Sequence, residues 1–237
     1  MIDINCDLGE GLDNEHIIMP LISSCNISCG AHAGSIEIID NVIQLAIQHK
    51  VKIGAHPSFP DRQNFGRKVL DISNSNLQKS LEDQLIVFKE RALLQNASIH
   101  HVKPHGALYN LIAVNREKAS VVIAAIQHVF EAVKLYVPYK SSIEEVAAQS
   151  GLEIVYEAFA DRRYNEDLSL VSRTLSNALI VDKYEVSKQV QKISDKQLVT
   201  TVNLNEKEIK ASTFCVHGDT KNAIEILQYL HKHIHTK

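Results

Sequence analysis

The chain has 237 residues, 45% hydrophobic and 22% charged, with 25 Lys and Arg against 28 Asp and Glu for a formal net charge of −3. This composition excludes a disordered chain and gives no global attraction to nucleic acid or an anionic membrane, so any anion site must be local. No apolar run approaches the ~20 residues of a membrane helix and the N-terminus shows no basic-then-apolar pattern, so a cytoplasmic protein is expected.

Seven apolar runs of strand length occur in chain order, at residues 2–7, 23–28, 51–55, 99–103, 134–137, 152–157 and 213–217. Longer segments of helical period separate them. Ser35 is placed to cap a helix running to about His49, and Ser75 to open the longest helix, to about Asn96. Ser142-Ile-Glu-Glu145 and Asp182-Lys-Tyr-Glu185 have the capping-box pattern, in which an N-cap oxygen and a later carboxylate satisfy free amides. Residues 203–212 are charged and irregular and read as an inserted hairpin or loop, and Thr220 is placed to open the last helix.

Strands alternating with helices imply parallel pairing with right-handed crossovers, hence a closed or nearly closed (β/α) barrel or an open doubly wound sheet. A single domain is expected, because barrels of about 250 residues are ordinary. Cys6, Cys25, Cys29 and Cys215 show no C-x-x-C spacing and read as buried free thiols, although a Cys6–Cys215 pair on neighbouring strands is open to sequence reasoning.

The placement of polar residues favours the barrel. Reactive side chains follow six of the seven strands: Asp7 and Glu10; Cys29 to Gly34 with His32; His56; Lys103 and His105; Glu157 with Asp161 and Arg162; and His217 with Asp219. Parallel strands carry such loops to one face, where barrel enzymes place their active sites. Each residue alone is weak, since Asp219 reads equally as a cap of the last helix. His16, His49, His100, His101, His128, His231, His233 and His235 fall on helices or strand starts and read as solvated or structural. Gly34 and Ser35 open a helix whose amides can hold an anion. The segment from His56 to Arg67 is long, aromatic and charged, as suits a substrate-covering loop, and Arg62 and Arg67 can each clamp a carboxylate or phosphate.

Several motifs resemble the LamB/YcsF family: Asn5-Cys-Asp-Leu-Gly-Glu10, Asn26-Ile-Ser-Cys-Gly-Ala-His-Ala-Gly34, Gly54-Ala-His-Pro57, Phe65-Gly-Arg67, Val102-Lys-Pro-His-Gly-Ala-Leu-Tyr-Asn110, Phe159-Ala-Asp-Arg162 and Cys215-Val-His-Gly-Asp219. The resemblance implies an irregular seven-stranded (β/α) TIM-like barrel, akin to glycoside hydrolases and polysaccharide deacetylases. It also implies ATP-dependent opening of 5-oxo-L-proline (pyroglutamate) to L-glutamate, the 5-oxoprolinase reaction, with two further subunits, B and C. The chain departs from the family pattern at Ala31, Ser35 and Lys68, and residues 164–173 lack the customary glycine.

On this reading Lys103 with Arg62 or Arg67 faces phosphate or substrate carboxylate, while His56, His105 and His217 are proton-transfer candidates. Asp7, Glu10 and Asp161 orient imidazoles, activate water or hold the Mg²⁺ that accompanies ATP. His32, Gly34, Ser35, Tyr109, Arg162 and Asp219 complete the expected substrate- and phosphate-binding set. Two alternatives stay open: a metal-dependent hydrolase or deacetylase holding its ion on Asp7, His32 and His56, and a non-catalytic subunit that captures a small carboxylate. Self-association is also left open.

Overall fold

The structure, a computed structural model, describes residues 2–234. Seven parallel strands close into a barrel: β1 (Asp3–Leu8), β2 (Ser24–Ser28), β3 (Lys52–His56), β4 (Ile99–Val102), β5 (Lys134–Pro138), β6 (Ile154–Phe159) and, after an excursion, β9 (Thr213–Cys215). The last strand closes the ring between β6 and β1, with Cys215 opposite both Phe159 and Asn5. The excursion is an antiparallel hairpin, β7 (Leu198–Thr200) with β8 (Glu206–Glu208), where an insertion was expected.

Helices wrap the outside: α1 (Glu15–Ile18), α2 (Ile36–His49), α3 (Asn74–Leu94), α4 (Gly106–Val114), α5 (Arg116–Val129), α6 (Ser142–Gln149), α7 (Lys183–Lys196) and α8 (Ala223–His233). α2 shows why they dock. Ile39, Val42, Ile43 and Ala46 recur at helical spacing and are all buried against the barrel, while the Ser35 hydroxyl accepts the Ile38 amide at the free N-terminus. α7 starts as read, with the Asp182 carboxylate accepting the amides of Tyr184 and Glu185.

Three expected starts shift. Ser73 rather than Ser75 caps α3, and Ser141 rather than Ser142 caps α6, because each hydroxyl must lie outside the helix to reach the amide three residues on. The final helix starts at Ala223 after Asn222 in a left-handed conformation, and Thr220 instead donates its hydroxyl to Asp161. All four cysteines are buried free thiols. Among the described residues no helix is long and apolar enough to cross a membrane. His235 lies outside the described residues.

The barrel interior is polar for much of its depth. Asn5 donates to Glu157 and Thr213, Asn26 donates to Asn5 and Asp7, and His101 bonds Asn26 at 2.6 Å while stacking on Tyr136. Gly54 is the residue that admits His101: a Cβ there would lie 2.1 Å from the imidazole Nε2. Gly54 therefore serves packing within β3 rather than a tight turn or a ligand approach.

Candidate active site

The C-terminal ends of the strands surround a cavity of about 390 Å³ lined by Asp7, Glu10, His56, Lys103, His105 and His217, together with Arg67, Tyr109, Arg162 and Asp219. Residues spread from 7 to 219 thus share one space, because each follows or ends a strand running in the same direction. Asp161 lies just behind, fully buried. The other expected binding residues stand off the cavity. Ser35 is occupied as the α2 cap, and Arg62 donates to the carbonyls of Gly30 and Gly34, tying the 56–67 loop to the loop after β2. Asp219 accepts from Arg67 at 2.6 Å and from Arg173 at 3.1 Å, so it balances rim cations rather than capping α8.

Lys103 is 2% exposed, yet its ammonium has a full set of partners: Glu157 at 2.9 Å, Asp7 at 3.0 Å, Cys215 at 3.1 Å and Asn5 at 3.3 Å. Burial opposes its charge, but the surrounding Asp7, Cys215 and Glu157 outweigh burial and hold the lysine well above its usual range. The same balance acts on Asp7. Burial pushes its carboxyl up, while the charges of His56 and Lys103 bring it well below the ordinary value.

His217 forms a dyad with Asp161. Its Nδ1 lies 2.9 Å from Asp161 Oδ1, its backbone amide donates to Oδ2, and Thr220 donates to the same oxygen at 2.5 Å. Burial raises the Asp161 carboxyl, but the neighbouring His217 charge and these donors bring it below its usual value. An ionised Asp161 holds the proton on Nδ1, which leaves Nε2 as the lone-pair nitrogen of the neutral ring. The Phe159 ring lies nearly parallel to this imidazole, at 5.4 Å.

A second histidine cluster lines the same cavity. His56 Nδ1 donates to the Lys103 carbonyl at 2.6 Å, and His105 Nε2 donates to the Phe65 carbonyl at 2.9 Å. Their remaining nitrogens lie 3.0 Å apart, beside Asp7 and Glu10. His32 backs this group rather than joining it: it stacks on His105 at 3.8 Å and bridges Glu10 and Ser58. Of the expected metal set, Asp7 and His56 therefore remain, and His105 with Glu10 stands where His32 was expected; the four donor atoms lie within 4.8 Å of one another. Burial pulls the His32 imidazole down to about 4 and lowers that of His105 as well.

Sequence reading did not single out Asn5, Asn26 or Arg173 as site residues, and it placed Glu157 among the strand-end polar groups without a role. Asn5 and Asn26 lie within strands, where nothing but the inward direction of their side chains distinguishes them. Arg173 comes from the long segment after β6, which folds back over the cavity.

The LamB/YcsF family model matches residues 2–237. The chain is 41% identical over 228 residues to a Staphylococcus aureus (strain bovine RF122 / ET3-1) protein named as the A subunit of 5-oxoprolinase, covering 94% of this chain and 91% of that one. A Bacillus cereus (strain B4264) protein of the same name is 38% identical over 237 residues, covering 98% and 94%. Among solved structures, the lactam utilization protein from Thermus thermophilus superposes with a TM-score of 0.91 at 31% identity, covering 98% of this chain and 94% of that chain. A putative cellobiose-phosphate cleavage protein from Enterococcus faecalis V583 superposes with a TM-score of 0.61 at 10% identity, covering 97% and 90%, a likeness of fold alone.

Proposed function

The chain belongs to the LamB/YcsF family, and on that premise we propose that it is the A subunit of an ATP-dependent 5-oxoprolinase, opening 5-oxo-L-proline to L-glutamate together with subunits B and C. The observation that carries this reading is the cavity itself, which gathers a His–Asp dyad on a buried carboxylate and the cations Arg67, Arg162 and Arg173 around one space. Its volume of about 390 Å³ is in the range of small-molecule sites and admits a five-membered lactam.

A lactam is an unreactive amide with a poor leaving group. Transfer of the ATP γ-phosphoryl to the amide oxygen releases ADP and leaves an imidate that water can attack. The ring C–N bond then breaks, the nitrogen takes a proton, and a second water frees phosphate from the resulting acyl phosphate. ATP is thus a cosubstrate, and Mg²⁺ enters with its phosphates.

His217 is the proton-transfer group of this scheme, oriented by Asp161, with Nε2 facing the cavity. Arg67, Arg162 and Arg173 receive the substrate carboxylate or the transferred phosphate as fixed cations. Arg162 is buried, bonds the Val171 carbonyl through one nitrogen, and keeps an Nε without a protein acceptor. Lys103 stays charged within its carboxylate pair and fixes Asp7 on the cavity floor. Tyr109 is buried beneath it.

The test is ATP- and 5-oxoproline-dependent glutamate release, assayed with the isolated chain and with the chain reconstituted with subunits B and C. Release only by the full complex is expected. A complete, folded complex that forms no glutamate overturns the assignment.

A further inference from the structure

The geometry points to a site for one first-row transition-metal dication, of the Zn²⁺ or Mn²⁺ class, formed by Asp7 Oδ2, Glu10 Oε1, His56 Nε2 and His105 Nδ1.

The tautomers carry the argument. A backbone carbonyl only accepts, so His56 must place its proton on Nδ1, toward Lys103, and His105 must place its proton on Nε2, toward Phe65. Both neutral rings then present a bare lone pair, and those two nitrogens face each other at 3.0 Å. Asp7 Oδ2 is 3.3 Å from His56 Nε2, and Glu10 Oε1 is 3.3 Å from His105 Nδ1 and 3.9 Å from His56 Nε2. Four acceptors thus gather with no protein donor lying between them, although Glu10 Oε1 also meets His32 Nε2 from outside the group at 3.1 Å. A single proton can join one pair, whereas a cation satisfies all four.

The size of the cluster agrees. Ligands about 2.0–2.2 Å from an ion stand roughly 3–3.6 Å apart at right-angle to tetrahedral geometry, the spacing of the three shortest of these contacts. The charge agrees too. The carboxylates of Asp7 and Glu157 share the single ammonium of Lys103, which contacts Asp7 through its other oxygen, Oδ1, and Glu10 adds a third carboxylate beside the two histidines. Three carboxylates against one ammonium leave an excess of acidic groups that a dication offsets.

The surroundings supply the supports that metal ligands require. Each ligating imidazole has its second nitrogen on a carbonyl, Glu10 is held by His32 at 3.1 Å, and Asp7 is held by Asn26 at 2.7 Å. Two imidazoles with two carboxylates favour Zn²⁺, Mn²⁺ or Fe²⁺ over the all-oxygen preferences of Mg²⁺ and Ca²⁺. A second grouping, Asp7, Cys215 and His217, is weaker, because the Cys215 sulfur already contacts Lys103 and burial pushes its thiol well above the usual range, away from the thiolate a metal takes. The ligands line the same cavity as His217, and the ion's presence does not depend on which lactam is cleaved.

The purified chain is stripped with a chelator and titrated with Co²⁺, followed by visible absorption, with Zn²⁺ and Mn²⁺ as competitors and elemental analysis after desalting. One ion per chain and ligand-field bands that Zn²⁺ displaces are expected. His105→Ala and the milder Glu10→Gln, each shown folded by circular dichroism, should lower affinity at least tenfold. Failure of the folded wild-type chain to hold any of the three ions, or tight binding untouched by both substitutions, overturns the site. Neither readout uses glutamate release, so its failure is distinct from failure of the proposed activity.

Discussion

Lys103 concentrates the physical argument of the site in one side chain. A buried ammonium is tolerated because Asp7 and Glu157 flank it, and the dependence is mutual: removing the cation strands two buried carboxylates. Lys103→Met should therefore destabilise the fold by about 3–5 kcal/mol, read as a drop in the urea midpoint. An unchanged midpoint would show that the pair is solvated. Arg173 belongs to the opposite regime, since it sits at the rim and, among the described residues, directs its guanidinium hydrogen bonds to Asp219. Arg173→Ala should raise KM for 5-oxoproline roughly tenfold with kcat little changed, as expected for uniform substrate binding; a fall in kcat alone would assign it to the transition state instead. Asp7, His56, His105 and His217 are legible in the sequence because they end or follow apolar runs. His101 is not, because it reads as a strand start, and only its partners Asn26 and Tyr136 show that it fills the barrel.

At the scale of elements, all seven barrel strands are readable from apolar runs, with errors at their edges. β6 begins at Ile154 rather than 152 because the Leu152 amide is taken by the Ala147 carbonyl, which ends α6. β4 ends at Val102 for a related reason: the next residue, Lys103, gives its carbonyl to the His56 imidazole. Two positions where backbone and side chains crowd offer tests. Gly54→Ala would drive a methyl into the His101 ring inside a closed barrel and should cost about 1–3 kcal/mol or more in thermal or urea unfolding. Gly106, at φ +54, opens α4 with its Cβ position 2.8 Å from the Gly66 carbonyl, so it couples the 56–67 loop to the helix carrying Tyr109. By contrast Ser141→Ala removes one cap bond and should cost about 1 kcal/mol. A cost for Gly54→Ala no greater than that for Ser141→Ala would contradict the packing described for β3.

For the whole molecule, the polar interior predicts an acid-sensitive fold. His32 is neutral in the native state down to about pH 4, whereas an unfolded histidine takes its proton near 6.5. Between those values the unfolded chain binds more protons, so stability is complete above about pH 6.5 and falls as pH drops toward 4. The buried His101 and His105 act in the same direction, and the lowered carboxyls of Asp7 and Asp161 extend the loss below pH 4. Urea midpoints measured across pH 4–7 should show this decline, and a flat profile would contradict the burial of these imidazoles. The closed barrel is what brings residues so far apart in sequence around one cavity, so the central claim concerns that cavity's chemistry. It is tested most directly by glutamate release from 5-oxoproline in the reconstituted complex carrying His217→Asn. The expected result is kcat/KM lowered by about 10²–10⁴ with the fold intact; a near-wild-type rate would remove His217 from the chemistry.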